Sequence, residues 1–211
     1  MSASSSTRIA RVIRFLDKKY GKINWWHGTP DEVMIGAILT QQTRWENANK
    51  ALMILKQRSL CSAHAIGEAD SMTIESAIRC TGFYRIKAQR LKSLALHVKS
   101  VYGDTRIMAE RPTHQLRESL LEVHGIGAET ADSILCYGFH RPCFVIDAYT
   151  ERLCSCIGIK EKRQALKTLF EKVLPGDAAV YQEVHAHIVE YAKEFCAKKR
   201  CDECTLANLK G

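Results

Sequence analysis

Apolar residues recur along this chain at intervals of three and four positions and almost nowhere at intervals of two. That period belongs to helices that bury one face, so the sequence predicts an all-α protein with short connections. In residues 8–20, Ile9, Val12, Ile13, Leu16 and Tyr20 share one face, and Arg8, Arg11, Arg14, Lys18 and Lys19 share the other. Pro30-Asp31-Glu32 opens a second helix, whose apolar positions Val33, Met34, Ile35, Ala37, Ile38 and Leu39 run into the polar turn Thr40-Gln41-Gln42-Thr43. Residues 47–58, 73–80, 161–173 and 178–196 repeat the pattern, and Pro175-Gly176-Asp177 separates the last two.

The stretch 116–152 is denser in signals. Leu116, Leu120, Leu121 and Val123 lead into Gly125-Ile126-Gly127, and a second helix is expected from about Thr130, with Ala131, Ile134, Leu135 and Tyr137 inward and Asp132 and Ser133 outward. Two glycines permit a tight turn, and with no side chain over them the first amides of the following helix can approach a phosphate oxygen. The plainer reading is a turn between packed helices. Beyond it, Phe144-Val145-Ile146 is an apolar run that stops at Asp147, where a helical pattern through Tyr149, Leu153 and Ile157 begins. Asp147 is read either as an N-cap or as a carboxylate placed for chemistry.

Together, LEVHGIGAETA and VIDAYTERL, at their separation here, resemble the helix-hairpin-helix (HhH-GPD) DNA glycosylases, the superfamily of endonuclease III. The resemblance runs from about residue 25 to residue 193. It implies an all-α fold of two helical lobes, with a helix-hairpin-helix motif and a DNA-binding cleft between them. One lobe would span 25–140, with the motif at about 116–139. The other would combine 1–24 with 141–211 and carry a catalytic Asp147 and a cysteine-containing tail. Gly125, Ile126, Gly127, Glu129 and Thr130 would contact phosphate, and the partner would be double-stranded DNA containing a damaged base, bound by a monomer. LTQQTRW resembles the family's LxxQxT, which makes Gln41 the side chain that fills the gap left by a flipped nucleotide and Gln42 the second choice, unless both amides cap helices. GFYRIKAQRL resembles G-[FLY]-Y-x-x-K-A and assigns Lys87 to phosphate, with Arg85, Arg90 and Lys92 beside it; alternatively Gly82 is a helix C-cap and the cations are solvated. Trp25-Trp26, Thr43-Arg44-Trp45 and the VHAHIV segment before Lys193 resemble the 3-methyladenine glycosylase branch. Trp25, Trp26, Trp45 and Lys193 are then the base pocket, or the rings are core anchors.

Two departures change what the resemblance implies. Bifunctional members carry a Schiff-base lysine where this chain has Glu129, and a carboxylate forms no imine, so base hydrolysis without strand cleavage is expected. The tail reads C-x4-C-x2-C through Cys196, Cys201 and Cys204, with Lys210 where a fourth cluster cysteine would stand. No cofactor is needed for the chemistry; a [4Fe–4S] cluster or a zinc would need a further ligand. Composition adds only boundaries. Thirty-one Lys and Arg against twenty-three Asp and Glu leave +8, which suits a polyanionic partner. No apolar signal core or membrane span is visible, so the protein is expected in the cytoplasm, with the nucleoid if prokaryotic, its nine cysteines reduced or metal-bound. The leading expectation is a monofunctional DNA glycosylase for an alkylated purine such as 3-methyladenine. The alternatives are a glycosylase for oxidised or deaminated bases and a non-catalytic DNA-binding module. Asp147 separates the last from the others, since a carboxylate repels phosphate and serves a mere binder poorly.

Overall fold

The computed structural model describes residues 4–23 and 25–206. They fall into two compact units: His27–Phe139, and the described parts of Met1–Trp26 and His140–Gly211. Helix α1 (Ser5–Tyr20) opens the discontinuous unit. The continuous unit holds α2 (Pro30–Leu39), α3 (Trp45–Gln57), α4 (Ala63–Glu68), α5 (Ser71–Ile78), α6 (Tyr84–His97), α7 (Thr105–Ala109), α8 (Thr113–Glu122) and α9 (Ala128–Ser133). The discontinuous unit resumes with α10 (Ala148–Cys156), α11 (Arg163–Val173) and α12 (Ala178–Tyr191). After α6, α9 and α12 the chain continues as a π-helical turn, Val98–Tyr102, Ile134–Gly138 and Ala192–Cys196 respectively. No strand occurs among the described residues, and no described helix is long and apolar enough to cross a membrane. The protein is all-α, as its periodicity predicts. Helices α4 and α7, of six and five residues, escaped the sequence reading because neither completes two turns.

The continuous unit is built around α2. Thr29 caps its first turn by accepting the Glu32 N–H, Pro30 sits where no amide partner is needed, and Asp31 and Glu32 face the positive end of the helix dipole. Every residue from Val33 to Leu39 is buried. A helix apolar on all sides can only be central. At Gly138 an added Cβ would stand 3.3 Å from Val33, so the glycine lets the π turn after α9 lie close against α2.

Between α8 and α9 the hairpin closes through Ile126 N–H to Val123 O (3.0 Å), with the Ile126 side chain buried beneath it. Gly125 takes φ +88°, and an added Cβ there would meet Arg90 Cγ and Cδ at 2.4 Å. Two expectations are corrected here. Helix α9 begins at Ala128, ahead of Thr130, and Asp132 is buried instead of facing out, because Arg117 Nε donates to it at 2.8 Å. The ion pair removes the cost of an isolated buried carboxylate.

In the discontinuous unit α12 is the central helix, buried from Val184 to Val189, and α1 packs against both α11 and α12. Arg8, expected on the solvated face of α1, instead donates to the carbonyls of Ile157 (2.8 Å) and Gly158 (3.0 Å), which would otherwise be orphaned at the C-terminal end of α10. Residues 143–146 are extended and buried with no sheet to join. Helix α11 supplies what a neighbouring strand would: Glu171 accepts the Phe144 N–H (3.0 Å) and Lys167 donates to the Phe144 carbonyl (3.1 Å). The Phe144 ring stacks on Phe170 at 4.4 Å, which leaves Asp147 at the exit of a rigid segment.

The two hairpin glycines should respond differently to alanine. Gly125→Ala places a side chain at positive φ against Arg90 and should cost more than about 2 kcal/mol of unfolding free energy. Gly127 has φ −95° and nothing near an added Cβ, so Gly127→Ala should cost less than about 1 kcal/mol. Urea denaturation of both variants checks the difference.

Candidate active site

Asp147 is the N-cap of α10, and its two oxygens have different surroundings. Oδ1 accepts the Thr150 N–H (2.7 Å) and the Thr150 hydroxyl (2.8 Å), while Oδ2 faces His185 Nε2 at 3.6 Å. The side chain is 14% exposed. Burial pushes its carboxyl pKa up, but the His185 imidazole and then the Thr150 donors pull harder, and the group settles below the usual carboxylate range. Asp147 is therefore ionised at neutral pH although mostly out of water. A negative charge held in such a place can stabilise a cation far better than one in solvent.

The same unit gathers two more of the expected residues near this carboxylate. Trp25 meets His185 edge to face at 5.6 Å, and Lys193 Nζ lies over the Trp25 ring at 5.8 Å while pairing with Glu190 at 2.8 Å. Trp26 is half-buried in the same segment. In the sequence His185 belongs to the VHAHIV segment that carries the branch resemblance, with no role of its own. Two residues on, His187 donates from Nε2 to Gly21 O (2.7 Å) and stacks on Tyr20.

The continuous unit holds the other expected residues. Trp45 is the first residue of α3 and half-buried there. The Gln41 amide donates to Gly125 O (2.9 Å) and Thr130 Oγ1 (3.1 Å), and its carbonyl accepts from Arg90, so Gln41 ties the polar turn to the hairpin. Gln42 is exposed at φ 53°. Phe83, which the sequence reading passed over, is 63% exposed at φ 47°. Neither left-handed conformation is easy for a residue with a Cβ. Gly127 and Glu129 are exposed at the start of α9, and the ladder there begins with Ala131 N–H to Gly127 O.

A sequence profile of the HhH-GPD superfamily of base excision DNA repair proteins matches residues 35–175. The chain belongs to that superfamily. A Methanocaldococcus jannaschii protein, provisionally named a DNA repair glycosylase, is 42% identical over 98% of this chain and 97% of its own length. Endonuclease III of Thermotoga maritima is 28% identical over 95% of this chain and 91% of its own. Among solved structures, the 3-methyladenine DNA glycosylase of H. pylori bound to 1,N6-ethenoadenine aligns with a TM-score of 0.79 at 29% identity, covering 90% of this chain and 97% of that one. The protein is a DNA repair glycosylase of the HhH-GPD kind.

Membership in the HhH-GPD superfamily does not make every inherited position act as the resemblance implied. Lys87 is corrected: it is 1% exposed, and its ammonium donates to Leu39 O (2.8 Å), Thr81 O (3.1 Å) and the Thr43 hydroxyl. It cannot reach a phosphate. Arg90 lies over Gly125 and bonds Gln41, and Lys92 donates to Gly67 O, so of the four cations expected on phosphate only Arg85 keeps its side chain largely in solvent. No group of three or more Cys, His, Asp or Glu side chains among the described residues is disposed to hold a metal; Cys204 Sγ lies 3.4 Å from the Tyr191 hydroxyl, Cys201 is exposed, and Lys210 lies outside the described residues. As arranged, Cys196, Cys201 and Cys204 do not form a donor set. The described chain is all free thiol.

Lys87 offers a direct test of burial against phosphate contact. Removing its three bonds in Lys87→Met strands the Leu39 carbonyl and leaves Thr81 O with only the Thr43 hydroxyl, and should lower stability by about 2–4 kcal/mol, whereas a phosphate contact would leave stability alone and flatten the salt dependence of DNA binding. The pH dependence has a definite sign. Burial, helped by Arg90, lowers the Lys87 pKa from 10.5 to about 8. Between those values the unfolded chain holds the extra proton, so the Lys87 contribution to stability rises with pH from about 8 upward and is absent in Lys87→Met. Urea midpoints of both proteins at pH 7, 8.5 and 10 measure it.

Proposed function

We propose that the protein is a monofunctional glycosylase that hydrolyses the N-glycosidic bond of an alkylated purine flipped out of duplex DNA, with Asp147 as the catalytic carboxylate. The observation that carries this reading is the asymmetric Asp147: one oxygen pinned by Thr150, the other facing the pocket edge formed by His185 and Trp25. As the C1′–N bond breaks, its electron pair leaves on the base, where it cancels the positive charge of an N-alkylated purine; a neutral lesion such as 1,N6-ethenoadenine takes up a proton from solvent instead. Asp147 stabilises the cationic sugar left behind. A water oxygen bonds to C1′ and gives its proton to Asp147 or to solvent.

Support for an alkylated purine comes from the H. pylori relative, a 3-methyladenine DNA glycosylase bound to 1,N6-ethenoadenine. Glu129, exposed at the hairpin, supports hydrolysis without strand cleavage. Gly127 and the amides that begin α9 are the phosphate contact in this reading. Gln42 and Phe83 are the side chains that enter the duplex. They project from two turns joined by Lys87 and by the Thr43 hydroxyl bond to Thr81 O. Gln41 would have to surrender three hydrogen bonds to do the same.

Asp147→Asn should lower single-turnover base release by at least about a thousandfold while binding to an abasic-site duplex is retained, since the amide keeps the Thr150 cap. Wild-type release by Asp147→Asn would remove the residue from catalysis. Duplexes with one lesion each should show excision of 3-methyladenine or 1,N6-ethenoadenine above thymine glycol, with strands broken only after alkali and no borohydride-trapped adduct. Release of thymine glycol alone would transfer the chain to the oxidised-pyrimidine class, and a trapped adduct would point to Lys193 as a nucleophile.

A further inference from the structure

We propose that His185 is a positioning residue that presents one oxygen of Asp147 to the reacting sugar and, by gaining or losing a proton, tunes excision according to the charge of the damaged base. The proposal rests on the reading of Asp147 as the catalytic carboxylate. Oδ1 is locked by two donors from Thr150, a fully buried residue, so the carboxylate cannot turn and Oδ2 is the oxygen left for chemistry. His185 Nε2 stands 3.6 Å from Oδ2. That is longer than a hydrogen bond but close enough for the imidazole's charge to be felt strongly in a buried setting.

The imidazole is itself held in place. Its side chain is 7% exposed, and its ring meets Trp25 at 5.6 Å and Phe144 at 6.4 Å, both near perpendicular. Phe144 is immobilised by the Phe170 stack and by its backbone bonds to Lys167 and Glu171. The ionisable groups around His185 include Asp147 from the start of α10, Glu190 from its own helix and Lys193 from the turn that follows, both around Trp25, and, behind Phe144, Tyr181 and the Lys167–Glu171 pair. From α1, Tyr20 addresses His187 instead. One ring thus touches both the carboxylate and the aromatic wall proposed for the base.

Histidine is the side chain that changes charge in the physiological range. When His185 is protonated, it neutralises part of the negative charge that the sugar cation needs, and it adds a positive charge beside Trp25, where Lys193 already sits. A nucleoside carrying a cationic base, such as 7-methylguanine, is then disfavoured twice. For that substrate the rate should rise with pH. A neutral base such as 1,N6-ethenoadenine must gain a proton to leave, so its rate should stay level or fall over the same range.

The test is single-turnover release of 7-methylguanine and of 1,N6-ethenoadenine from duplex DNA between about pH 5 and 8.5, by wild type, His185→Gln and His185→Phe. The wild-type ratio of the two rates should shift about tenfold or more across the range. His185→Gln, whose amide nitrogen can sit near Oδ2 without titrating, should lose the pH-dependent shift in the ratio, whatever its absolute rate. His185→Phe should lose rate at all pH values while abasic-site binding stays within about twofold. A His185→Gln enzyme whose rate ratio follows the wild-type pH profile overturns the proposal. Carbon-13 NMR of the Asp147 carboxyl gives a readout that needs no turnover: its titration should move upward in His185→Gln, and an unmoved titration equally overturns the proposal. If Asp147→Asn remains fully active, it is the catalytic reading that fails, whereas an inactive Asp147→Asn beside His185 variants with wild-type profiles refutes the role of His185 alone.

Discussion

A buried peptide without a strand partner is the constraint on which the proposed chemistry depends. Residues 143–146 are apolar enough to be drawn into the core, yet their backbone groups must still be satisfied there. At Phe144, Lys167 and Glu171, one turn apart on α11, meet that need from side chains, and they pair with one another at 3.0 Å while doing so. A salt bridge between exposed residues would contribute little. This one earns its place by what its polar atoms do besides pairing. It sets the direction in which the chain leaves the core, and so the position of Asp147 at the head of α10.

Buried cations perform a comparable task in the continuous unit. Lys87 joins the turn after α2 to the turn before α6, and Arg90 and Gln41 join the first of these turns to the hairpin. The result is three loop segments fixed to one another without a strand, a disulfide or a metal among the described residues. Such an arrangement can hold Gln42 and Phe83 at positive φ, each strained by about 1–2 kcal/mol. Strain of that size persists only where the surroundings over-determine the backbone. The two exposed residues and the buried lysine beneath them are parts of one device.

The helices were legible because their signal is a period, and a period survives without knowledge of the neighbours. The turns after Leu39 and Val123 and the cap at Asp147 were legible for a related reason, since breaker and capping residues act locally. Direction was not legible for long polar side chains. Arg8, Lys87 and Asp132 all lie at positions where solvent exposure or phosphate contact was the natural expectation. Each is instead turned inward by a partner far away in sequence: Gly158 for Arg8, Leu39 for Lys87, Arg117 for Asp132. Residue type announces a charge, and only the fold says whether a carbonyl, a carboxylate or a phosphate receives it. Phe83 carried no signal of its own, because residue type does not tell an exposed aromatic ring from a buried one.

Asp147 poses the remaining physical problem. A protein that binds a polyanion is helped by its net charge of +8, but with Asp147 as the proposed catalytic group it must bring a negative charge toward a backbone that repels it. Holding that group in a cap resolves part of the conflict, because two donors from Thr150 stabilise the carboxylate without neutralising it. A neighbouring lysine would relieve the repulsion further, at the expense of the negative charge needed by the sugar cation. His185 lies between these extremes. In the role proposed for it, it shields Asp147 when protonated and leaves it bare when neutral. A histidine at 3.6 Å is therefore better matched than a permanent ion pair to a carboxylate that must be tolerated while DNA binds and fully negative while a bond breaks.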